Sequence, residues 1–355
     1  MSLEEKGIQH KELSPTLAAT TRFVLEKREE LPAVFARFAG TIPTDAIAGP
    51  PFVIINFITP VKDGSDVEAG YPVTRAVEGE GITTRLLPAT PVLSLVHEGG
   101  LDGIGGAYRT LFSSAYSHGL ISDEFCREVY HDLSDPTKSR IEVQFVIHDW
   151  ERLFRGNLDR VLGSAAMQAI MVGQDVLTVE SAADERFAWA KGAVQRVDET
   201  ATEFEKYEVL SRCAHVFPAE QVERLRAVYE EAREATGNGL LAVDAVLEFM
   251  ENDPVWGRRP YREGRTIFST KNPRDPKAFE QATTPEEKRK AACFCTIIRQ
   301  HMEEGMSPTF CYCSSGWERR QWEGAIGRPV RVDVVKTLLR GDDHCQFAIH
   351  LPEDL

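Results

Sequence analysis

The sequence predicts an α+β protein in two parts, and three observations carry that reading. The first 150 residues break into short apolar or alternating runs bounded by Pro and Gly, with one helix-like stretch among them. From Asp184 onward, apolar residues recur at helical spacing. Five of the seven cysteines then fall in the last 63 residues, within a stretch that alternates strand-like and helix-like segments. A chain of 355 residues is long enough for two hydrophobic cores.

Taken in order, residues 22–29, 33–40 and 52–58 read as strands, with breaks supplied by Pro43, Gly49, Pro50, Pro51 and Pro60. A turn at Gly64-Ser-Asp66 leads to strands at 71–77, 83–87 and 91–97. The glycine run at 99–106 lacks the Lys-Ser/Thr of a phosphate loop, so it reads as a strand-to-helix connector. Ile104, Ala107, Tyr108, Leu111 and Ala115 then lie at helical spacing, and 128–131 and 140–147 close the region with two strands. Residues 151–183 read as a linker, because Gly163 and Gly173 weaken a helical pattern set by Leu158, Val161, Leu162 and Ala165. Pro218-Ala-Glu220 opens a helix bearing Val222, Leu225 and Val228, which Gly237-Asn-Gly239 ends. A second helix at 241–250 stops before Pro254. Residues 292–298 look like a buried strand, 317–326 a helix, and 330–339 and 345–351 two strands joined by a turn at Gly341-Asp-Asp343.

Composition excludes several function classes. The net charge of −14 speaks against a general affinity for nucleic acid or for anionic membrane surfaces. The longest apolar stretch is far too short to span a bilayer, and residues 1–20 lack the apolar core of a signal peptide. The expectation is therefore a cytoplasmic protein that keeps its thiols reduced.

The first part carries Asp66-Val-Glu-Ala-Gly70-Tyr-Pro72-Val73, Leu87-Pro88, His97-Glu-Gly99, Tyr108 with Leu111, Glu128-Val-Tyr130 and Arg140-Ile-Glu142-Val-Gln-Phe-Val146. Over residues 20–150 these resemble the GyrI-like small-molecule-binding domain, which also serves as the effector domain of multidrug-responsive regulators. The resemblance implies a pseudo-twofold pair of β-α-β-β units with a ligand cleft between them. It also implies Glu142 as the cleft acid, with Tyr130, Tyr108 and Phe112 as its walls, a combination that attracts planar or cationic compounds. One departure stands out: nine residues between Gly40 and Pro50 are too few for the family's first helix. Regulators of this type add a DNA-binding helix-turn-helix, and with roughly 20 residues ahead of this domain the expectation is not a transcription factor.

Residues 184–355 carry Cys213-Ala-His215-Val-Phe-Pro218, Ser269-Thr-Lys-Asn-Pro273, Cys293-Phe-Cys295, Cys311-Tyr-Cys313-Ser-Ser-Gly316-Trp317, Trp322-Glu323 and Gly341-Asp-Asp-His-Cys345-Gln-Phe347. They resemble a bacterial family related to aminothiazoline-carboxylate hydrolases, with similarity to zinc-binding vinyl-reductase-type domains. Three readings of the thiols stand side by side. Cys213, His215, Cys293, Cys295, Cys311, Cys313 and Cys345 supply soft donors for a four-coordinate zinc site drawn from a subset of them, since residues two apart on a strand share a side. The same cysteines are also ordinary small core residues. A reactive thiol is the third reading, and it needs a base or cation such as His215, His301, Arg319 or Arg320 beside it.

The combined expectation is a small-molecule-binding protein serving sequestration, sensing or detoxification. The alternative is a hydrolase of a small heterocyclic or strained-ring compound. It would work through Glu142 as general base, its pKa raised by desolvation, through a metal-bound water, or through a cysteine nucleophile.

Overall fold

The computed structural model describes residues 2–56, 64–120, 122–135, 137–215, 219–252 and 260–355. The chain divides into two compact units, Met1–His148 and Asp149–Leu355. Among the described residues no helix is long and apolar enough to cross a membrane. The strand end at Ile58 and the breaks at Pro60, Pro218 and Pro254 lie outside them.

The first unit runs β1 (Gln9–Leu13), β2 (Thr16–Leu25), α1 (Leu31–Ala39), β3 (Phe52–Asn56), β4 (Ser65–Pro72), β5 (Thr83–Leu87), β6 (Thr90–Gly99), α2 (Gly105–Ser117), β7 (Ser122–Asp132) and β8 (Ser139–Ile147). Its strands form one antiparallel sheet in the order β1-β6-β8-β7-β3-β4-β2-β5. The order is symmetric about the β7–β3 pair. Thus β2-α1-β3-β4 and β6-α2-β7-β8 are two β-α-β-β units related by a pseudo-twofold, and β1 and β5 extend the two margins.

The first helix is present after all, and it lies before Gly40 rather than after it. Leu31, Phe35 and Phe38 are its buried residues, at the i, i+4, i+7 spacing of one helical face. Pro32 sits in its first turn, where the missing N–H is no loss. The expected strand at 33–40 is therefore a helix, and the strand expected at 22–29 runs earlier, as β2. Phe35 packs at 5.1 Å from Tyr130 and 6.2 Å from Tyr71, and the Tyr71 hydroxyl donates to the Phe35 carbonyl. These contacts seat α1 on the sheet.

The second unit holds α3 (Trp150–Leu162), α4 (Ser164–Ile170), α5 (Ala183–Thr200), α6 (Glu203–Leu210), α7 (Ala219–Thr236), α8 (Gly239–Asn252), β9 (Tyr261–Glu263), β10 (Thr266–Thr270), α9 (Pro276–Gln281), α10 (Pro285–Ala292), α11 (Thr296–Arg299), α12 (Tyr312–Ile326), β11 (Arg331–Lys336) and β12 (Gln346–His350). Its four strands pair in the order β11-β12-β10-β9. The stretch read as a linker folds with this unit. Asp149 caps α3 by accepting from the Arg152 N–H, and Trp150, Phe154 and Leu158 bury one face of it. Trp150 stacks on Phe154 at 4.7 Å and on Phe310 at 5.3 Å. Leu225, Val243, Val246, Trp322, Val332, Phe347 and Ile349 form the core between helices and sheet.

Two glycines of this unit give opposite expectations. A Cβ on Gly316 of α12 would fall 1.8 Å from the Ser211 carbonyl oxygen, a backbone atom with little freedom to move. Gly316→Ala is expected to cost about 3 kcal/mol, a fall of roughly 6–12 °C in melting temperature for a unit of this size. Gly156, inside α3, meets nothing within 4 Å of a built Cβ. Gly156→Ala should raise stability by about 0.5–1 kcal/mol through helix propensity alone. Thermal melts of both variants check the pair, and equal effects would refute the packing assignment.

Candidate functional site

Antiparallel register decides which side chains of the first unit share a face. Across β7 and β8, Cys126 faces Phe145, Glu128 faces Val143, and Tyr130 faces Ile141. Across β3 and β7, Val53 faces Glu128 and Ile55 faces Cys126. Both helices pack on this same face, as Phe112 of α2 meets Phe145 at 4.9 Å and Phe35 of α1 meets Tyr130. Glu128 is thus a carboxylate in an apolar row, on a central strand, on the side covered by the helices. It is fully buried.

Burying a charge in such surroundings is costly unless donors surround it. Three do. The Tyr108 hydroxyl, from α2, donates to Glu128 Oε1 at 2.5 Å. The Tyr130 hydroxyl, two residues along β7, donates to Oε2. Arg28, in the turn leading into α1, donates to Oε2 through Nη1 and forms an ion pair there. The Arg28 guanidinium also lies 5.9 Å from the centre of the Tyr108 ring. Burial works against the charge on Arg28, but Glu128 outweighs it and holds the guanidinium protonated. Burial first, and then the Glu128 charge, push both phenols well above the usual tyrosine range, so they remain donors. Cys126 is raised for the same two reasons, which disfavours its thiolate.

Toward solvent the cluster continues as a row of rings on α2. Tyr108 and Phe112 lie stacked with centroids 6.3 Å apart, and one turn further on comes Tyr116. Phe112 and Tyr116 are about 40% exposed, a large apolar presentation for a helix surface. Three of the residues expected to form the cleft, Tyr130, Tyr108 and Phe112, are thus brought together.

Glu142 is placed elsewhere. It pairs in register with Val129 and Val96, so it lies on the sheet face opposite the helices. There it accepts from Lys11 Nζ at 3.0 Å and Gln144 Nε2 at 3.1 Å, and His131 Nε2 lies 3.3 Å away. Gln144 accepts from Arg127 in turn. Burial tends to raise the Glu142 pKa, but the hydrogen bonds from Lys11 and Gln144 outweigh it and hold the acid below the usual glutamate range. That direction is opposite to the one expected of a general base at this position. The sequence did carry a sign of Glu128. The apolar alternation of β8 marks Ile141, Val143 and Phe145 as the helix-facing set. An acid facing the helices therefore had to come from a neighbouring strand, between Cys126 and Tyr130.

In the second unit the thiols do not sit as strand pairs. Cys293 caps the end of α10 and Cys295 the start of α11, both extended but outside any ladder, so the strand expected at 292–298 is absent. Cys311 and Cys313 lie at the first turn of α12, where residues two apart point to different sides. Cys311 Sγ lies 2.9 Å from Thr337 Oγ1. Among the described residues no three His, Cys, Asp or Glu side chains gather as a metal-ligand set, and no disulfide forms. Burial, reinforced by neighbouring cysteines, pushes Cys293, Cys295 and Cys313 up to about 12 and Cys311 well above its usual range. Burial alone raises Cys213 to about 12. The charge of Arg320 acts on Cys213 and Cys313 without offsetting their burial, and two other groups expected to activate a thiol are engaged otherwise. Arg319 pairs with Glu208 and Glu323, and His301 Nδ1 lies 2.8 Å from Glu304.

Several solved structures are similar to this chain. The C-terminal domain of EcmrR is 20% identical, with a TM-score of 0.35, over 39% of this chain and 96% of that one. SAV2435, solved bound to tetraphenylphosphonium, is 11% identical with a TM-score of 0.30, over 41% of this chain and 96% of its own. A hydrolase from Listeria innocua is 8% identical with a TM-score of 0.30, over 39% and 91%. No family model matches the sequence. No curated protein matches it either.

Two outcomes follow from the charges. Glu128→Ala strands a three-quarters-buried guanidinium and two phenols, and is expected to cost about 3 kcal/mol. A loss below about 1 kcal/mol in urea unfolding would show that the carboxylate does not hold the cluster. For Glu142 the folded pKa lies below the unfolded one. Its contribution is therefore complete at neutral pH and is lost as pH falls from the usual glutamate value of 4.5 through the lower folded value. The stability gap between the wild type and Glu142→Gln should narrow between pH 6 and pH 3, whereas a gap that stays constant with pH would rule out the linkage.

Proposed function

We propose that the first unit is a small-molecule-binding module for planar aromatic compounds, serving sequestration, sensing or detoxification. One observation carries the reading: a fully buried carboxylate ringed by two phenols and a guanidinium, one of whose phenol rings stacks on the exposed Phe112, with exposed Tyr116 one turn further along α2. A polar cluster of this cost is not needed to fill a core, since apolar residues of the same volume do so without desolvating charge. An exposed aromatic row beside convergent polar groups is the composition of a ligand site. A flat ring laid against Phe112 and Tyr108 gains stacking and apolar burial, and the polar cluster fixes its orientation.

Glu128 and Arg28 rather than Glu142 set the polar end of this site. Glu142, on the other face, acts with Lys11 and Gln144 as a tie between β1 and β8. Phe112 is exposed enough for truncation to leave the fold intact. Phe112→Ala is expected to weaken binding of the uncharged planar dye 10-methylacridone about tenfold, the loss of one stacked ring. Fluorescence titration of both proteins checks this, and affinities within twofold of each other would remove the aromatic row from the site.

A further inference from the structure

A cleft acid beside aromatic faces is the usual recipe for binding cations, yet here the cation position is already filled. The Arg28 guanidinium is paired to Glu128 Oε2 and lies over the Tyr108 ring at 5.9 Å, which is where an incoming ammonium or pyridinium would sit. Both carboxylate oxygens are taken, Oε1 by Tyr108 and Oε2 by Tyr130 and Arg28. The charge of Glu128 is therefore balanced within the chain. A cationic ligand would have to expel a resident guanidinium from its partner and bring its own charge beside it.

We infer that Arg28 is the specificity-determining residue of this site, and that it selects uncharged planar aromatics bearing a carbonyl-type acceptor over cations; this rests on the small-molecule-binding reading of the same cleft. The Arg28 side chain is 28% exposed, so the residue is not sealed off from solvent. A guanidinium has five N–H groups, and among the described residues Glu128 and the Tyr130 hydroxyl are the groups hydrogen-bonded to Arg28. The remaining N–H groups suit a ligand oxygen. A carbonyl lying in the ring plane meets such a donor while the ring lies against Tyr108 and Phe112.

The test compares two dyes with one tricyclic frame and opposite polarity. These are 10-methylacridinium, a cation, and 10-methylacridone, which is neutral and carries a carbonyl. Both are titrated into the full chain, into Arg28→Gln and Arg28→Met, which remove the charge, and into Arg28→Lys, which keeps it. The wild type is expected to bind the acridone at least tenfold more tightly than the acridinium. Either neutral variant should reverse that order, and Arg28→Lys should preserve it. The wild-type ratio needs no variant, so a misfolded mutant leaves the test standing. A wild type that binds acridinium as tightly as acridone, or a folded neutral variant with an unchanged ratio, overturns the role of Arg28 and leaves the binding module intact. Failure of the wild type to bind either dye overturns both.

Discussion

A carboxylate with no exposure has to be satisfied from within the protein, and the arrangement of the first unit follows from that constraint. Glu128 draws its donors from three separate places: the turn before α1, the first half of α2, and the next helix-facing position of β7. The two helices belong to different β-α-β-β units. The electrostatic demand of one side chain therefore links the halves of the pseudo-twofold, and does so on the face where apolar contacts such as Phe35 on Tyr130 and Phe112 on Phe145 already hold them. Apolar packing sets where the helices lie, and the carboxylate sets which polar groups must face one another.

The symmetry of the backbone is not kept by the chemistry. On β3, the strand that pairs with β7 across the twofold, the helix-facing residues are Val53 and Ile55, both buried and apolar. Among the described residues a single helix-facing acid on β3 and β7 thus serves a duplicated frame, and the guanidinium that balances it comes from the other half. On the other side of the sheet a second set of polar groups, Lys11, His131, Glu142, Gln144 and Arg127, is joined across β1, β8 and β7. The sheet separates two polar systems. The one under the helices adjoins exposed rings, and the other stitches strands together.

Much of this was legible in the sequence, because period-two alternation and Pro/Gly punctuation mark strands directly. The runs at 83–87, 91–97 and 140–147 correspond to β5, β6 and β8 within a residue or two. Two apolar segments were misread, each for its own reason. Short apolar runs fit strand and helix alike, and only the spacing of Leu31, Phe35 and Phe38 distinguishes α1. Around Cys293 and Cys295 the chain is locally extended but meets no partner strand, which is information held in tertiary pairing alone. For the site, Tyr108, Phe112 and Tyr130 came with the resemblance rather than from periodicity. The resemblance pointed to Glu142 as the acid, although the apolar alternation of Ile141, Val143 and Phe145 along β8 already set Glu142 on the opposite face.

The two flanking strands carry a further meaning. β1 and β5 are each five residues long, while the strands they border, β6 and β2, have ten. They bear His10, Lys11 and Glu12 on one margin and Arg85 on the other, where Arg85 pairs with Glu68. Unpaired backbone at a sheet edge invites another chain to add a strand, and short, charged borders discourage it. An eight-stranded sheet is thereby kept from acting as a template for aggregation, which is what a protein presenting uncovered aromatic rings most needs to avoid.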